Sequence, residues 1–276
     1  MERTPYEEHY RGAIVVALVT LLAIYTAIPR FWNVYLIPIW AVCGVISAIL
    51  MFGSVFWLPF VGTDEWGGLP LTMIVFLTTV GFGFPLAILF ALGRRSKLPI
   101  IKAVCVITIE IVRGLSLISV LFMMIIFLSL FLPGDLTIDK LLRALVGMVI
   151  FFGAYSAEVI RGGLQAVPNG QYDAVKALGL NYLKSHILII LLQALRTVLP
   201  ALVNDIIGAF KNTTFASIIG IFDIFGAAKA SLRDVSWTRY ATEVYIFVAL
   251  IFFIYCFSMA KYSAFIERRS SKERAR

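Results

Sequence analysis

The sequence predicts an all-α membrane protein with several transmembrane helices. Of its 276 residues, 61% are hydrophobic and 14% are charged, and the mean hydropathy is +0.93. Apolar runs of about 18 or more residues recur, each long enough to cross a hydrocarbon core of roughly 30 Å as a helix. These runs are continuous and do not alternate every second residue, which disfavours a β-barrel. The net charge of +8 comes mainly from short loops and the tail, so it indicates membrane orientation and not nucleic-acid binding.

Residues 1–62 are expected to form a polar N-terminal head and two extra spans. The apolar runs cover residues 13–28 and 34–56. The first run could be a signal peptide, but no small-residue cleavage site stands out, so an uncleaved span is the better prediction.

Residues 63–266 are expected to form a core of five spans, and residues 267–276 a basic cytoplasmic tail. The stretch 98–132 is apolar but would be about 50 Å long as one helix, too long for a simple span. We therefore expect a break or a change of direction near Arg113 and Gly114. The other predicted spans cover residues 69–92, 141–160, 198–220 and 242–265.

The basic residues predict which loops face the cytoplasm. Arg94, Arg95 and Lys97 lie in one loop, and further basic residues lie in the segment 161–196 and in the tail. The opposite loops carry fewer, so the positive-inside tendency makes the segment 161–196 cytoplasmic.

The segment 161–196 is unusually polar for so apolar a chain, and we name it the coupling loop. Pro168, Asn169 and Gly170 are expected to end the preceding helix, and residues 171–178 to form a short one. Gly179 suits the left-handed position after a helix. Asn181 is a good cap for a second short helix over residues 182–196, ahead of the span 198–220.

Several polar residues fall at membrane depth, where they are costly and suggest a functional role. Glu110 with Arg113, and Glu158 with Arg161, are spaced to meet on one helix face. Each pair could steady a helix end or contact substrate. On the predicted span 198–220, the polar residues Asn204 and Lys211 could line a pathway or subunit seam, or could bond between helices. The candidates for the substrate pathway are Glu110, Arg113, Glu158, Arg161, Asn204, Lys211, Thr213 and Thr214.

Catalytic chemistry has little support in the sequence. There is no G-x-x-x-x-G-K-[ST] phosphate loop, no His, Cys and acid cluster with metal-ligand spacing, and no convergent Ser, His and Asp set. Cys43, Cys105 and Cys256 fall in apolar runs and are interpreted as free buried thiols. We therefore predict no catalytic residue, no cofactor and no metal.

Three runs carry a resemblance to a known family: EVIRGGLQAVPNGQYDAVKALGL, LLQALRTVLPALVN and FKNTTF. Together they resemble the permease subunits of ABC importers for polar amino acids, more closely the general L-amino acid branch. The resemblance covers about residues 64–269. In the family signature Glu-Ala-Ala, three residues, then Gly, this chain has Asp173, Ala174, Val175 and Gly179. Ser116 and Leu192 stand where the family usually has proline, which weakens the expectation of helix breaks there.

The resemblance implies the type I ABC-importer permease fold and a role in moving L-amino acids into the cytoplasm through the inner membrane. It implies cytoplasmic ATPase subunits that hydrolyse ATP, a second homologous permease in a heterodimer, and a periplasmic amino-acid-binding protein. Tyr172, Val175 and Gly179 are expected to present one apolar face to the ATPase. The residues expected to couple the ATPase to transport are Gln165, Pro168, Gly170, Tyr172, Asp173, Ala174, Val175 and Gly179.

The main alternative from another class is a secondary transporter that is coupled to ions or protons. Glu158, Asp205 or Lys211 could then serve as the ion site. A scaffold protein would explain the polar loop but not Lys211 within a span. Dependence of uptake on ATP, and not on an ion gradient, separates the first alternative from the importer.

Overall fold

The N-terminal region forms two apolar helices that pack against each other. The computed structural model of the chain describes residues 9–28, 36–53, 61–131, 138–179 and 181–274. Helix α1 covers His9–Ala27 and α2 covers Leu36–Phe52. Both match the predicted extra spans in place, although their apolar parts are shorter than the later spans. Residues 1–8 of the predicted head, and residues 34–35 and 54–56 at the two ends of the second predicted span, lie outside the described residues.

The core contains helices that can cross a membrane. By length and composition, α3 (Gly68–Arg94), α6 (Lys140–Ala166), the helical run His186–Ser217 and the apolar part of α12 (Ala241–Arg274) qualify. A fifth span is possible if α4 (Pro99–Gly114) and α5 (Leu117–Phe131), a bent pair, count as one. The prediction of an all-α membrane protein is confirmed, and the described residues of the core hold four helices able to span a membrane, or five with the bent pair counted as one.

The break predicted near Arg113 and Gly114 is present. Helix α4 ends at Gly114, and Leu115 takes an extended conformation with φ −106° and ψ 151°. Helix α5 starts two residues later. The helix therefore ends here although Ser116 replaces the proline that the family pattern carries.

The second half of the coupling loop differs from the prediction. Helix α7 (Asn169–Ala177) is followed by α8 (Tyr182–Ser185), a π-helical turn His186–Ile190 and α9 (Leu191–Asn212). The predicted boundary between a short helix and a span at residues 196–198 is wrong. No helix-ending residue stands there, and Pro200 is accommodated inside α9, as proline often is in membrane helices.

Residues 221–240, which lie between the predicted spans 198–220 and 242–265, contain short elements. Strand β1 (Phe222–Asp223) pairs in parallel with Gly67 and Gly68, and α10 (Ile224–Ser231) and α11 (Val235–Thr238) follow. Asp223 Oδ1 accepts a hydrogen bond from Gly226 N at 2.8 Å and so caps α10. Burial raises the pKa of this carboxyl to about 6.

The chain forms two compact units. One comprises residues 1–79, 117–147 and 210–255, and the other residues 80–116, 148–209 and 256–276. In the first, the fully buried Phe210 packs its ring against Phe76, Phe252 and Tyr255. In the second, the buried core joins residues of α3, α4, α6, α7 and α9. The coupling loop belongs entirely to the second unit.

The three cysteines are free thiols, as expected. Cys43 is buried, whereas Cys105 and Cys256 are half-buried, so the prediction that all three are buried is only partly correct.

Candidate functional site

The inner face of α7 is buried against the body of the second unit. Pro168 precedes the helix as the sequence predicts, but the helix begins at Asn169, two residues before the predicted start at residue 171, so Asn169 and Gly170 belong to α7. Val175 is 5% exposed and belongs to the same core as Ile160, Leu164 and Ile190. An isolated helix of this length would be marginal in water. Packing of its inner face therefore holds α7 in place.

Tyr172 attaches the inner face of α7 to the second unit through polar contacts. Its hydroxyl donates a hydrogen bond to the Leu164 carbonyl oxygen at 2.8 Å. Arg95 Nη1 lies 2.9 Å from that carbonyl oxygen and 2.9 Å from the Tyr172 hydroxyl. The guanidinium carbon is 5.4 Å from the centre of the Tyr172 ring, within cation–π range. We name Arg95, Leu164 and Tyr172 the anchor cluster, because it ties α7 to α6 and to the end of α3.

The outer face of α7 is exposed. Asp173 and Ala174 are exposed, and Leu178 just beyond the helix is 71% exposed. Gly179 has φ +66°, which confirms the predicted left-handed position. Gln165, Pro168 and Gly170 are also exposed.

One geometric expectation is wrong. Tyr172 and Val175 do not share an outward apolar face with Gly179, because both contact the second unit itself. Helical spacing alone could not reveal this, since it defines which residues share a face but not which side of the helix the body occupies. The surface open to a partner is formed by Asp173, Ala174, Ala177, Leu178 and Gly179.

Helices α6 and α9, on either side of the coupling loop, approach closely at Gly163. A Cβ at this glycine would lie 2.7 Å from the Ala194 carbonyl oxygen and 2.9 Å from Val198 Cγ1. Only glycine allows this distance without a shift. At the neighbouring Gly162, a Cβ would meet nothing within 4 Å. From the sequence alone, neither glycine has a predicted role, and Arg95 is predicted only to mark membrane orientation.

Near the C-terminal ends of α3, α4 and α6, three arginines surround one glutamate. Glu158, whose side chain is 22% exposed, lies 3.2 Å from Arg94 and 3.9 Å from Arg113. Arg161 Nε donates a hydrogen bond to it at 2.9 Å. With Glu110, which pairs with Arg94 at 2.8 Å, the cluster holds three arginines and two glutamates and is net positive.

The predicted pairs within single helices are half correct. Glu158 and Arg161 do meet, one turn apart. Glu110 and Arg113 are bound instead to groups on other helices, Arg94 and Glu158 respectively. The spacing allowed the pair, but Arg94 from α3 competes for the same carboxylate, and the sequence could not place that helix.

The polar residues of the following helix differ in their surroundings. Asn204 and Lys211 are exposed. Thr213 is fully buried and donates a hydrogen bond to the Phe210 carbonyl oxygen at 2.8 Å, and Thr214 donates one to the Lys211 carbonyl oxygen at 2.9 Å. The threonine hydroxyls are thus satisfied locally, whereas Asn204 and Lys211 are open to an external group.

The family described as binding-protein-dependent transport system inner membrane component matches residues 83–272. The chain is 45% identical over 271 residues to the inner membrane amino-acid ABC transporter permease protein YhdY of Escherichia coli K12, covering 96% of this chain and 73% of YhdY. It is 44% identical over 217 residues to the glutamate/glutamine/aspartate/asparagine transport system permease protein BztC of Rhodobacter capsulatus. That match covers 78% of this chain and 50% of BztC.

Solved structures of ABC transporters are also similar to this chain. A crystal structure of an amino acid ABC transporter with histidines matches with a TM-score of 0.63 and 31% identity, covering 73% of this chain and 92% of that one. An inward-facing structure of the MetNI methionine ABC transporter matches with a TM-score of 0.54 and 16% identity, over 72% of this chain and 91% of that one. The second match concerns the fold alone.

Proposed function

The chain belongs to the binding-protein-dependent transport system inner membrane component family, and on that premise we propose that it carries L-amino acids into the cytoplasm. It is a multi-pass permease subunit of an ABC importer in the inner membrane. The amino acid substrate is supported by the names of YhdY and BztC and by the solved amino acid transporter. The secondary-transporter alternative has no support from these relatives.

We propose three kinds of protein partner. ATP hydrolysis lies on separate cytoplasmic ATPase subunits, a second homologous permease completes a heterodimer, and a periplasmic amino-acid-binding protein delivers the substrate. The surfaces for the binding protein are three segments between predicted spans, at residues 59–68, 133–140 and 221–240. Of these, residues 59–60 and 133–137 lie outside the described residues. The short elements β1, α10 and α11 give the last of these segments a fixed shape that a partner could recognise.

The coupling role of the loop is supported by the contrast between the faces of α7. Its outer face offers small side chains, the acid Asp173 and the apolar Leu178 to a partner. Close approach to a groove favours small residues, and Gly170 and Gly179 both have open space around the Cβ position. We propose that the ATPase binds this outer face, with Gln165, Pro168 and Gly170 at its edge.

Movement of the ATPase would reach the membrane helices through the inner face. The anchor cluster joins α7 to the end of α3 through Arg95 and to α6 through Leu164. Val175 adds apolar contact with the same body. A displacement of the outer face of α7 would therefore be transmitted to the ends of α3 and α6 together.

The substrate pathway is proposed along α6 and α9. The net-positive cluster around Glu158 suits the carboxylate of an amino acid, because guanidinium groups bind carboxylates in a bidentate manner. Asn204 and Lys211, both exposed, are the candidates on α9. Glu110, Arg113 and Arg161 act with Glu158, whereas Thr213 and Thr214 shape the end of α9.

The experiment that tests the proposed function is uptake of labelled amino acids by proteoliposomes that contain the purified importer, its ATPase and its binding protein. We expect uptake to require ATP and to be insensitive to dissipation of ion gradients. Leu178→Ser should lower uptake and ATPase association together. Leu98→Ser, at another exposed leucine on the cytoplasmic side, is the matched control and should leave both unchanged. Uptake that follows an ion gradient without ATP would contradict the proposal.

A further inference from the structure

The short helix α11 and the turn that follows it carry large apolar side chains on the surface of the first unit. Val235 is 90% exposed, Trp237 54% and Tyr240 41%. The rings of Trp237 and Tyr240 lie edge to face, with their centroids 6.2 Å apart. We name these three residues the α11 patch. Large apolar groups exposed side by side mark a surface that meets a membrane or a partner.

The start of α12 sets the depth of the α11 patch in the membrane. Helix α12 runs from Ala241 into the basic tail assigned to the cytoplasm, so Ala241 lies on the periplasmic side. The apolar run of α12 begins at Val244, whose backbone N–H donates a hydrogen bond to the Tyr240 carbonyl oxygen at 3.0 Å. Four residues of helix rise about 6 Å, and the headgroup layer is roughly 5–8 Å thick on each side. Tyr240 and the adjacent Trp237 therefore lie at the level of the headgroups.

Exposed apolar side chains continue from the α11 patch onto α12. Ile246 and Phe247, in the second turn of α12, are both exposed. Only 6% of the apolar window of this helix is buried within the protein. A spanning helix with so little burial meets lipid or a neighbouring membrane helix along most of its surface. In either case α11 lies where the bilayer surface begins.

The chemistry of this segment fits a phospholipid surface. Trp and Tyr are enriched at the membrane interface, where one end of the side chain is apolar and the other is wet. Arg233 and Arg239 are exposed on either side of α11, and the Arg239 guanidinium carbon lies 4.8 Å from the centre of the Tyr240 ring. Arginines at this level keep their stems on apolar surface and their charged ends among phosphates and water. Between residues 229 and 243, three basic residues outnumber two acidic ones.

We propose that α11 lies in the headgroup layer of the periplasmic leaflet, with Val235 and Trp237 in contact with the upper ends of the phospholipid acyl chains. Arg233 and Arg239 then lie among the phosphate groups. This contact holds the periplasmic end of α12 at a fixed depth and leaves β1 and α10, in the same segment, to the binding protein. The proposal rests on the membrane orientation of the permease and not on the identity of the transported amino acid.

The test uses Trp237 itself as the reporter. The purified importer is placed in nanodiscs of phosphatidylcholine that is either unmodified or brominated near the glycerol end of its acyl chains, because bromine quenches tryptophan only at contact. The fluorescence of the native importer minus that of the Trp237→Phe variant gives the emission of Trp237. We expect brominated lipid to remove most of this emission. Emission of Trp237 that brominated lipid leaves unchanged would overturn the proposal.

Two acidic variants test whether the α11 patch holds the helix against the bilayer. Val235→Asp removes the most exposed apolar side chain of the patch, and α11 itself should persist, because an acidic residue is favourable in the first turn of a helix. We expect Trp237 to lose most of its quenching by brominated lipid in this variant. Ser231→Asp, at an exposed residue of α10 outside the patch, adds the same charge nearby and should leave the quenching unchanged. Equal quenching of Trp237 in the two variants would overturn the proposal.

The other possible occupant of the α11 patch is the periplasmic binding protein. We expect an excess of this protein, added to the nanodiscs, to leave the quenching of Trp237 by brominated lipid unchanged. A fall in this quenching on addition would mean that the binding protein takes the patch, and would overturn the proposal. Because the measurement requires no uptake, its failure would leave the proposed transport of amino acids intact.

Discussion

The two faces of α7 differ although their residues alternate along one short helix. On the inner face, Tyr172 and Val175 are held by the second unit through hydrogen bonds and apolar burial. On the outer face, Asp173 and Ala174 are exposed. Adjacent residues thus have opposite surroundings. In the coupling role proposed for α7, the attached inner face would pass on to the second unit a movement that reaches the exposed outer face.

The largest effect is expected from a charge on the inner face. Val175→Asp would bury an unpaired carboxylate in an apolar core, at a cost of at least about 3 kcal/mol. We expect α7 to lose its structure and ATPase association to fail. Hydrogen exchange of residues 169–177 measures this directly, and it should become fast.

The neighbouring variant Ala174→Asp is the control for that experiment. It adds the same charge to the exposed face, so the exchange of α7 should stay slow while ATPase binding weakens. Fast exchange in both variants would mean that the two faces do not differ as described.

A smaller effect is expected at the helices to which the inner face is attached. Gly163→Val would place its Cβ 2.7 Å from the Ala194 carbonyl oxygen, and overpacking of this kind costs about 1–3 kcal/mol. Thermal unfolding of the purified importer should occur at a lower temperature. Gly162→Val meets open space and should change it much less. Equal shifts would show that the α6–α9 contact is not tight.

Substitution of Gly179, in the turn after α7, should act through the backbone conformation at this position. Gly179 has φ +66°, and a β-branched residue there is strained by about 1–3 kcal/mol. Gly179→Val should therefore keep membrane insertion but lower uptake per ATP hydrolysed several-fold. Gly44→Val, at a glycine of α2 with open space, is the control. Unchanged uptake per ATP hydrolysed in the Gly179→Val variant would mean that Gly179 has no role in coupling.

The smallest effect is expected within the anchor cluster. Arg95→Gln and Tyr172→Phe each remove a hydrogen bond to the other residue, so a double-mutant cycle should give a coupling free energy of about 0.5–1.5 kcal/mol. Hydrogen exchange of α7 supplies the free energies. Tyr155→Phe removes a hydroxyl that is bonded to the Arg113 carbonyl oxygen instead, and it should be additive with Arg95→Gln. Additivity in both cycles would mean that Arg95 and Tyr172 act separately.

The sequence predicted the spans, the break after Gly114 and the left-handed Gly179, because hydropathy and local conformation determine these features. It did not predict which face of α7 is buried, since that depends on where α3 and α6 end in space. For the same reason, the sequence did not predict that Glu110 pairs with Arg94 across helices and not with Arg113 one turn away. It also explains Gly163, whose role requires knowledge of where α9 passes.

Residues 221–240 illustrate a different limit. Asp223 and Asp234 each cap a short helix, and Asp at such positions is a known start signal. Helices as short as α10 and α11 have too few residues for a periodic apolar pattern to be recognised. Their existence therefore depends on contacts, such as the pairing of β1 with Gly67 and Gly68, that no local pattern contains.

Site-specific crosslinking can show directly which face of α7 meets the ATPase. Ala174→Cys and Val175→Cys differ by one position and share the background of Cys43, Cys105 and Cys256. With the ATPase carrying a thiol-reactive group in its docking groove, we predict crosslinking at position 174 and little at position 175, in membranes that contain the assembled importer. Efficient crosslinking at position 175 with none at 174 would contradict the account, because it would make the buried face the one that meets the ATPase.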